Sequence, residues 1–169
     1  AELHSNGLGG GDWSAPGSWR ENAVPTPDDD AVIARGDNIA LDRDDESRVT
    51  CKQLFIDPKG TLSFKSGQGR VTCCLAGPIE SYGTVKIDGS KTAADRFELR
   101  FVGATAEDRK LKMLKGSSLL VTGRRNLAPG KHNVIVAAVP DPDPTKRGVP
   151  ATGEAGGTAK AGRRGAGWG

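Results

Sequence analysis

The chain is poor in aromatic residues and has no long apolar run. Its 169 residues hold four Phe, three Trp and one Tyr, so any core is narrow and mainly aliphatic. No stretch approaches the ~20 apolar residues that span a bilayer as a helix, and membrane insertion is not expected. Histidine occurs twice, as His4 and His132, which leaves little for imidazole acid–base chemistry or zinc binding. Neither a Gly-x-Ser-x-Gly elbow nor a Gly-x-x-x-x-Gly-Lys-Ser/Thr loop occurs. Two routes to nucleophilic catalysis and phosphate binding are thereby removed. Asn-x-Ser/Thr is also missing, so N-glycosylation is not expected. The net charge is only +3, with acids and bases interspersed through most of the chain. That is not the basic field of a nucleic-acid binder.

What the chain does have is glycine, 24 residues of it, and ten prolines. This balance suits short strands and tight turns rather than helices. A strand-sized phrase recurs on that background. Gly36-Asp37-Asn38-Ile39-Ala40-Leu41 is followed by Gly60-Thr61-Leu62-Ser63-Phe64, Gly83-Thr84-Val85-Lys86-Ile87 and Gly116-Ser117-Ser118-Leu119-Leu120-Val121, with the glycines 24, 23 and 33 residues apart. One short β unit per twenty-odd residues predicts an all-β solenoid in which successive rounds stack and share one core. Period-two alternation at Leu62/Phe64, Val85/Ile87 and Phe97/Leu99/Phe101 agrees with strands buried on one face. The longer third spacing predicts an insertion around Ala93–Ala106, and Arg43–Val49 reads as a solvated loop. His132–Val139 is the last strong strand.

Three segments follow. Residues 1–30 form a Gly- and Pro-rich opening, residues 31–139 the repeating domain, and residues 140–169 a Pro/Gly/basic tail or linker. Trp13 and Trp19 lie in the opening segment, where two readings compete. Their indoles seal the core at the first round, as terminal repeats require, or they form an exposed platform for sugar rings. In the tail, Arg163, Arg164 and Trp168 are candidates for an arm that docks on a neighbouring copy.

Other candidate sites are weaker. Cys51 and Cys73, one period apart, predict either a disulfide between adjacent rounds or two buried thiols; Cys74 is the third cysteine. Asp28, Asp29 and Asp30 make an acidic cluster able to supply oxygens to calcium, although turn chemistry uses the same residues. No carboxylate pair stands out for glycoside chemistry. Arg35-Gly36-Asp37 matches a receptor-read tripeptide but sits in the repeat register, where turn formation accounts for it.

The motifs Gly11-Asp12-Trp13-Ser14-Ala15-Pro16-Gly17-Ser18-Trp19, Val24-Pro25, Asp29-Asp30-Ala31-Val32-Ile33, Leu54-Phe55-Ile56, Gly60-Thr61-Leu62, Gly83-Thr84-Val85-Lys86-Ile87 and Phe97–Gly103 together resemble the G-eight domain, named for its eight glycines. The resemblance spans about residues 9–139. It implies a secreted or cell-surface, right-handed parallel β-helix of the kind found in fibrocystin-like proteins and in proteins that bind or degrade hyaluronan. The expected function is non-catalytic: a structural or adhesive module whose partners are other extracellular proteins or copies of itself. The alternative is an acidic-glycan binding module using Trp13, Trp19 and Tyr82, and a fragment of a polysaccharide-degrading enzyme ranks third. No cofactor is expected, calcium apart.

Overall fold

The computed structural model describes residues 1–124 and 131–138. Its strands are β1 (Glu2–His4), β2 (Gly10–Asp12), β3 (Asp30–Ile33), β4 (Asn38–Leu41), β5 (Gln53–Ile56), β6 (Thr61–Phe64), β7 (Arg70–Leu75), β8 (Ile79–Ser81), β9 (Thr84–Asp88), β10 (Arg96–Phe101), β11 (Leu111–Met113), β12 (Ser118–Thr122) and β13 (Val134–Ala138). Two short 3-10 turns, Pro16–Ser18 and Glu107–Arg109, are the helical elements among the described residues. The strands form three sheets, ordered β1-β3-β5-β8-β11, β2-β4-β6-β9-β12 and β7-β10-β13. Every strand pair is parallel. The chain is all-β; β1 to β4 alternate between the first two sheets, and from β5 onward the chain visits all three in a fixed cycle, adding one strand to each in chain order.

The recurring glycine phrase is the second sheet. Asn38 pairs with Thr61, Thr61 with Thr84, and Thr84 with Ser118. Side chains that alternate inward build columns through the core: Ala31, Leu54 and Ile79 in one sheet, Ile39, Leu62 and Val85 in the next, Cys73, Leu99 and Val136 in the third. All are buried. Like packs on like at the ~4.8 Å strand spacing, which is why one apolar pattern can repeat without a broad core.

The corner between the first two sheets explains Gly83. A Cβ on Gly83 would sit inside the Gly60 carbonyl oxygen, 2.7 Å from the Asp57 oxygen and 2.8 Å from Ile56 Cγ2. Backbone from adjacent rounds meets there, and only a residue without a side chain fits.

Three expectations change. The opening segment is not outside the sheets, because β1 and β2 already pair with β3 and β4. The stretch around Ala93–Ala106 is not an inserted loop, since it holds β10, a full strand of the third sheet. The added length is in the turns on either side of β10 and after β11. Arg43–Val49 is a solvated loop only in part: Asp44, Glu46, Ser47 and Arg48 are exposed, but the loop is pinned at Asp45. Asp45 is buried there between Arg43 and Arg48, each with Nε 3.0 Å from its carboxylate. Asp44 and Cys51 bridge in parallel to Thr72 and Leu75, so this segment stands in for a third-sheet strand.

Candidate functional site: two unlike ends

The N-terminal end is closed. Trp13 and Trp19 are 0% and 2% exposed, with ring centroids 4.9 Å apart and planes at 77°. The Trp19 indole N–H donates to the Trp13 carbonyl at 2.9 Å. Ser5 and Trp19 make an antiparallel bridge, and the Arg20 and Asn6 amides donate to His4 and Ser18 carbonyls at 2.7 and 2.9 Å. A crossing segment therefore lies against the free side of β1, the blunting that exposed strand edges require.

Asp37 fastens this end. Its buried carboxylate accepts the Ser5 hydroxyl at 2.5 Å and the Gly7 and Gly9 N–H groups at 2.8 Å. Ser5 Oγ in turn accepts from the Ala34 amide at 2.7 Å. Asp37 belongs to the Arg35-Gly36-Asp37 tripeptide, and a carboxylate buried and engaged in this way is not presented to a receptor. Asp95 repeats the device further along, accepting from the Ser66 hydroxyl at 2.7 Å and the Gly67 amide at 2.9 Å. Asn133 does so with its carboxamide, donating to the Gly89 carbonyl at 2.6 Å and accepting from the Arg124 amide at 2.9 Å. Sequence reasoning missed all three clasps. Burial works against ionisation of Asp95, but the Ser66 and Gly67 hydrogen bonds outweigh it and hold its pKa below the ordinary value.

A depressed carboxyl pKa contributes stability that is complete above about pH 4 and is lost as acid takes the pH through the folded value. Melting temperature measured from neutral pH into acid should therefore fall below about pH 4, and Asp95→Asn should flatten that fall. Equal slopes for the two proteins would remove Asp95 as a cause.

The C-terminal end differs. Among the described residues no strand follows β11, β12 and β13 in their sheets. Leu111, Met113 and Leu119 pack on the core but are only partly buried, while Leu120 and Ile135 are 52% and 41% exposed. The end round thus shows apolar side chains beside three strand edges.

Several sequence candidates fall elsewhere. Buried Trp13 and Trp19 cannot stack on sugar, so the aromatic platform is overturned and the seal stands. Tyr82 is 49% exposed, in the turn between β8 and β9, without an aromatic partner among the described residues. None of the three cysteines is in a disulfide. Cys51 is in register with Leu75 and Cys73 with Leu99, so Cys51 and Cys73 lie diagonally, too far offset for a bridge. Burial, joined at Cys51 by the neighbouring Cys73, pushes both thiols well above their ordinary pKa. A thiol reagent at about pH 8 should leave Cys51 and Cys73 untouched until the protein unfolds. Labelling of the folded chain within minutes would contradict the packing.

The acidic cluster does not converge on an ion. Asp29 accepts from the Thr26 amide and hydroxyl at 2.9 Å and pairs with the Ala1 amine at 3.1 Å, Asp28 is exposed, and Asp30 starts β3. No group of three acidic, His or Cys side chains that could hold a metal occurs among the described residues. The displaced carboxyls move down, away from what a general acid needs. Hydrogen bonds outweigh burial at Glu21 and Asp88, the Thr26 amide lowers Asp29, and Lys112 with Lys110 lowers Glu107. Arg163, Arg164 and Trp168 lie outside the described residues.

One property of the ends emerges only when the strands are put in order. Residues 1–50, which supply the first two rounds, hold eleven Asp and Glu against four Arg and no Lys. The described residues 102–124 and 131–138, which supply the last, hold six Lys and Arg against two acids. The interspersion read from the sequence is true locally and hides this gradient. Comparison with protein-family models, curated proteins and solved structures finds no match.

Proposed function

We propose that the chain is a right-handed β-helix of the G-eight kind, a non-catalytic structural module of cell-surface or extracellular assemblies that works through contacts at its ends. The cyclic visiting of three parallel sheets supports the helical reading, and the motif resemblance supports the kind and the setting. The three buried thiols add nothing in favour of an oxidising compartment. One observation carries the assembly role: one end is sealed by a tryptophan pair and a crossing segment, and at the other, among the described residues, β11, β12 and β13 have no further strand beside them and are flanked by partly bare apolar residues. Unpaired edges with apolar neighbours are a standing drive to associate. Sedimentation velocity of the full chain over a concentration series up to about 100 µM, enough to populate micromolar contacts, tests this. The expected result is a mass that rises with concentration. A monomer throughout would overturn the role.

A further inference from the structure

We infer that the two ends are complementary to each other, so that copies of this chain join head to tail, the lysine-rich C-terminal end of one against the acidic N-terminal end of the next. This rests on the assembly reading above and specifies the partner and the polarity. The first and last strands of the five-stranded sheets are four steps apart, or about 19 Å at the ~4.8 Å strand spacing. Opposite charge excesses are held at that separation, roughly two Debye lengths at 0.1 M salt, so each end presents its own field.

The residues at each end fit the pairing. At the acidic end Glu2 and Asp28 are exposed, and Glu21 lies by His4, which also contacts Glu2 at 3.1 Å. Leu8, in the loop between β1 and β2, is 87% exposed and gives this end an apolar side chain of its own. At the basic end Lys115 and Lys131 are exposed beside the apolar residues of β11 to β13. Two copies of the open end would oppose lysine to lysine, and such like-charge contact disfavours a symmetric pair. Acid against base remains. A head-to-tail contact uses two different surfaces on each copy, so it does not close unless a rotation brings the ends round, and chains of copies result.

The experiment is sedimentation velocity of the full chain at about 20 mM and about 500 mM salt, where the Debye length falls from ~20 to ~4 Å. Two charge-reversed proteins accompany it, Glu2→Lys with Asp28→Lys, and Lys115→Glu with Lys131→Glu. The expected result is open-ended oligomers at low salt, weakened about tenfold or more by salt or by either reversal alone. Mixing the two reversed proteins should restore assembly, because each then supplies the charge the other lacks. Oligomers that stop at two copies, ignore salt or fail to recover on mixing would overturn the head-to-tail arrangement and leave the assembly role standing. Monomers in every condition would remove both.

Discussion

Replacing Trp19 with Ala should cost about 3–5 kcal/mol of folding stability, the range for emptying a buried large aromatic site. The side chain is 2% exposed, holds Trp13 edge to face and donates to the Trp13 carbonyl. Its removal opens a void at the sealed end and leaves the carbonyl without its donor. Denaturant unfolding followed by Trp13 fluorescence gives the number. A loss below about 1 kcal/mol, the size of a surface change, would mean that the indole does not seal the core. A second consequence separates sealing from simple packing: the variant should expose β1, and its association should lose its polarity.

The other large effect is at Gly83. An added methyl meets main-chain oxygens of Gly60 and Asp57 and the Ile56 side chain, and main chain cannot swing aside as a flexible side chain does. Gly83→Ala should therefore destabilise by about 3 kcal/mol, the upper part of the overpacking range. Gly36 supplies the control within the same repeat. It has nothing within 4 Å of its would-be Cβ, yet its φ is +83°, so Gly36→Ala should cost only about 1 kcal/mol of backbone strain. Chemical denaturation of the two variants side by side checks both. Equal losses would show that backbone angle rather than corner contact sets the glycine requirement.

These residues also show what the sequence could reveal. The Gly36, Gly60, Gly83 and Gly116 phrases were legible because each combines a turn glycine with a period-two strand, and they became β4, β6, β9 and β12. The first strand of the third sheet was hard to see for a physical reason. Arg70–Leu75, which pairs along one edge with the segment from Arg43 to Cys51, has five of its six residues buried, so no alternation remains. The cysteine pairing failed on a shift of two residues, since the partner of Cys51 across the sheet is Leu75. A spacing of about one period cannot distinguish them. The Trp13 and Trp19 seal was legible from apolar area alone. Asp37 was not, because two of its three donors are main-chain N–H groups 28 and 30 residues earlier, and backbone donors leave no mark in composition. The charge gradient was present in residue counts, but a net charge of +3 averages it away.

Hydrogen–deuterium exchange of the full chain, dilute against concentrated at low salt, tests the end-contact account most directly. Amides of β11, β12 and β13 and of the Gly7–Gly9 loop should gain protection on concentration, while the interior strands β5 and β6 stay as they were. Protection gained instead on the outward sides of the middle strands, or no change at concentrations where the mass rises, would contradict it.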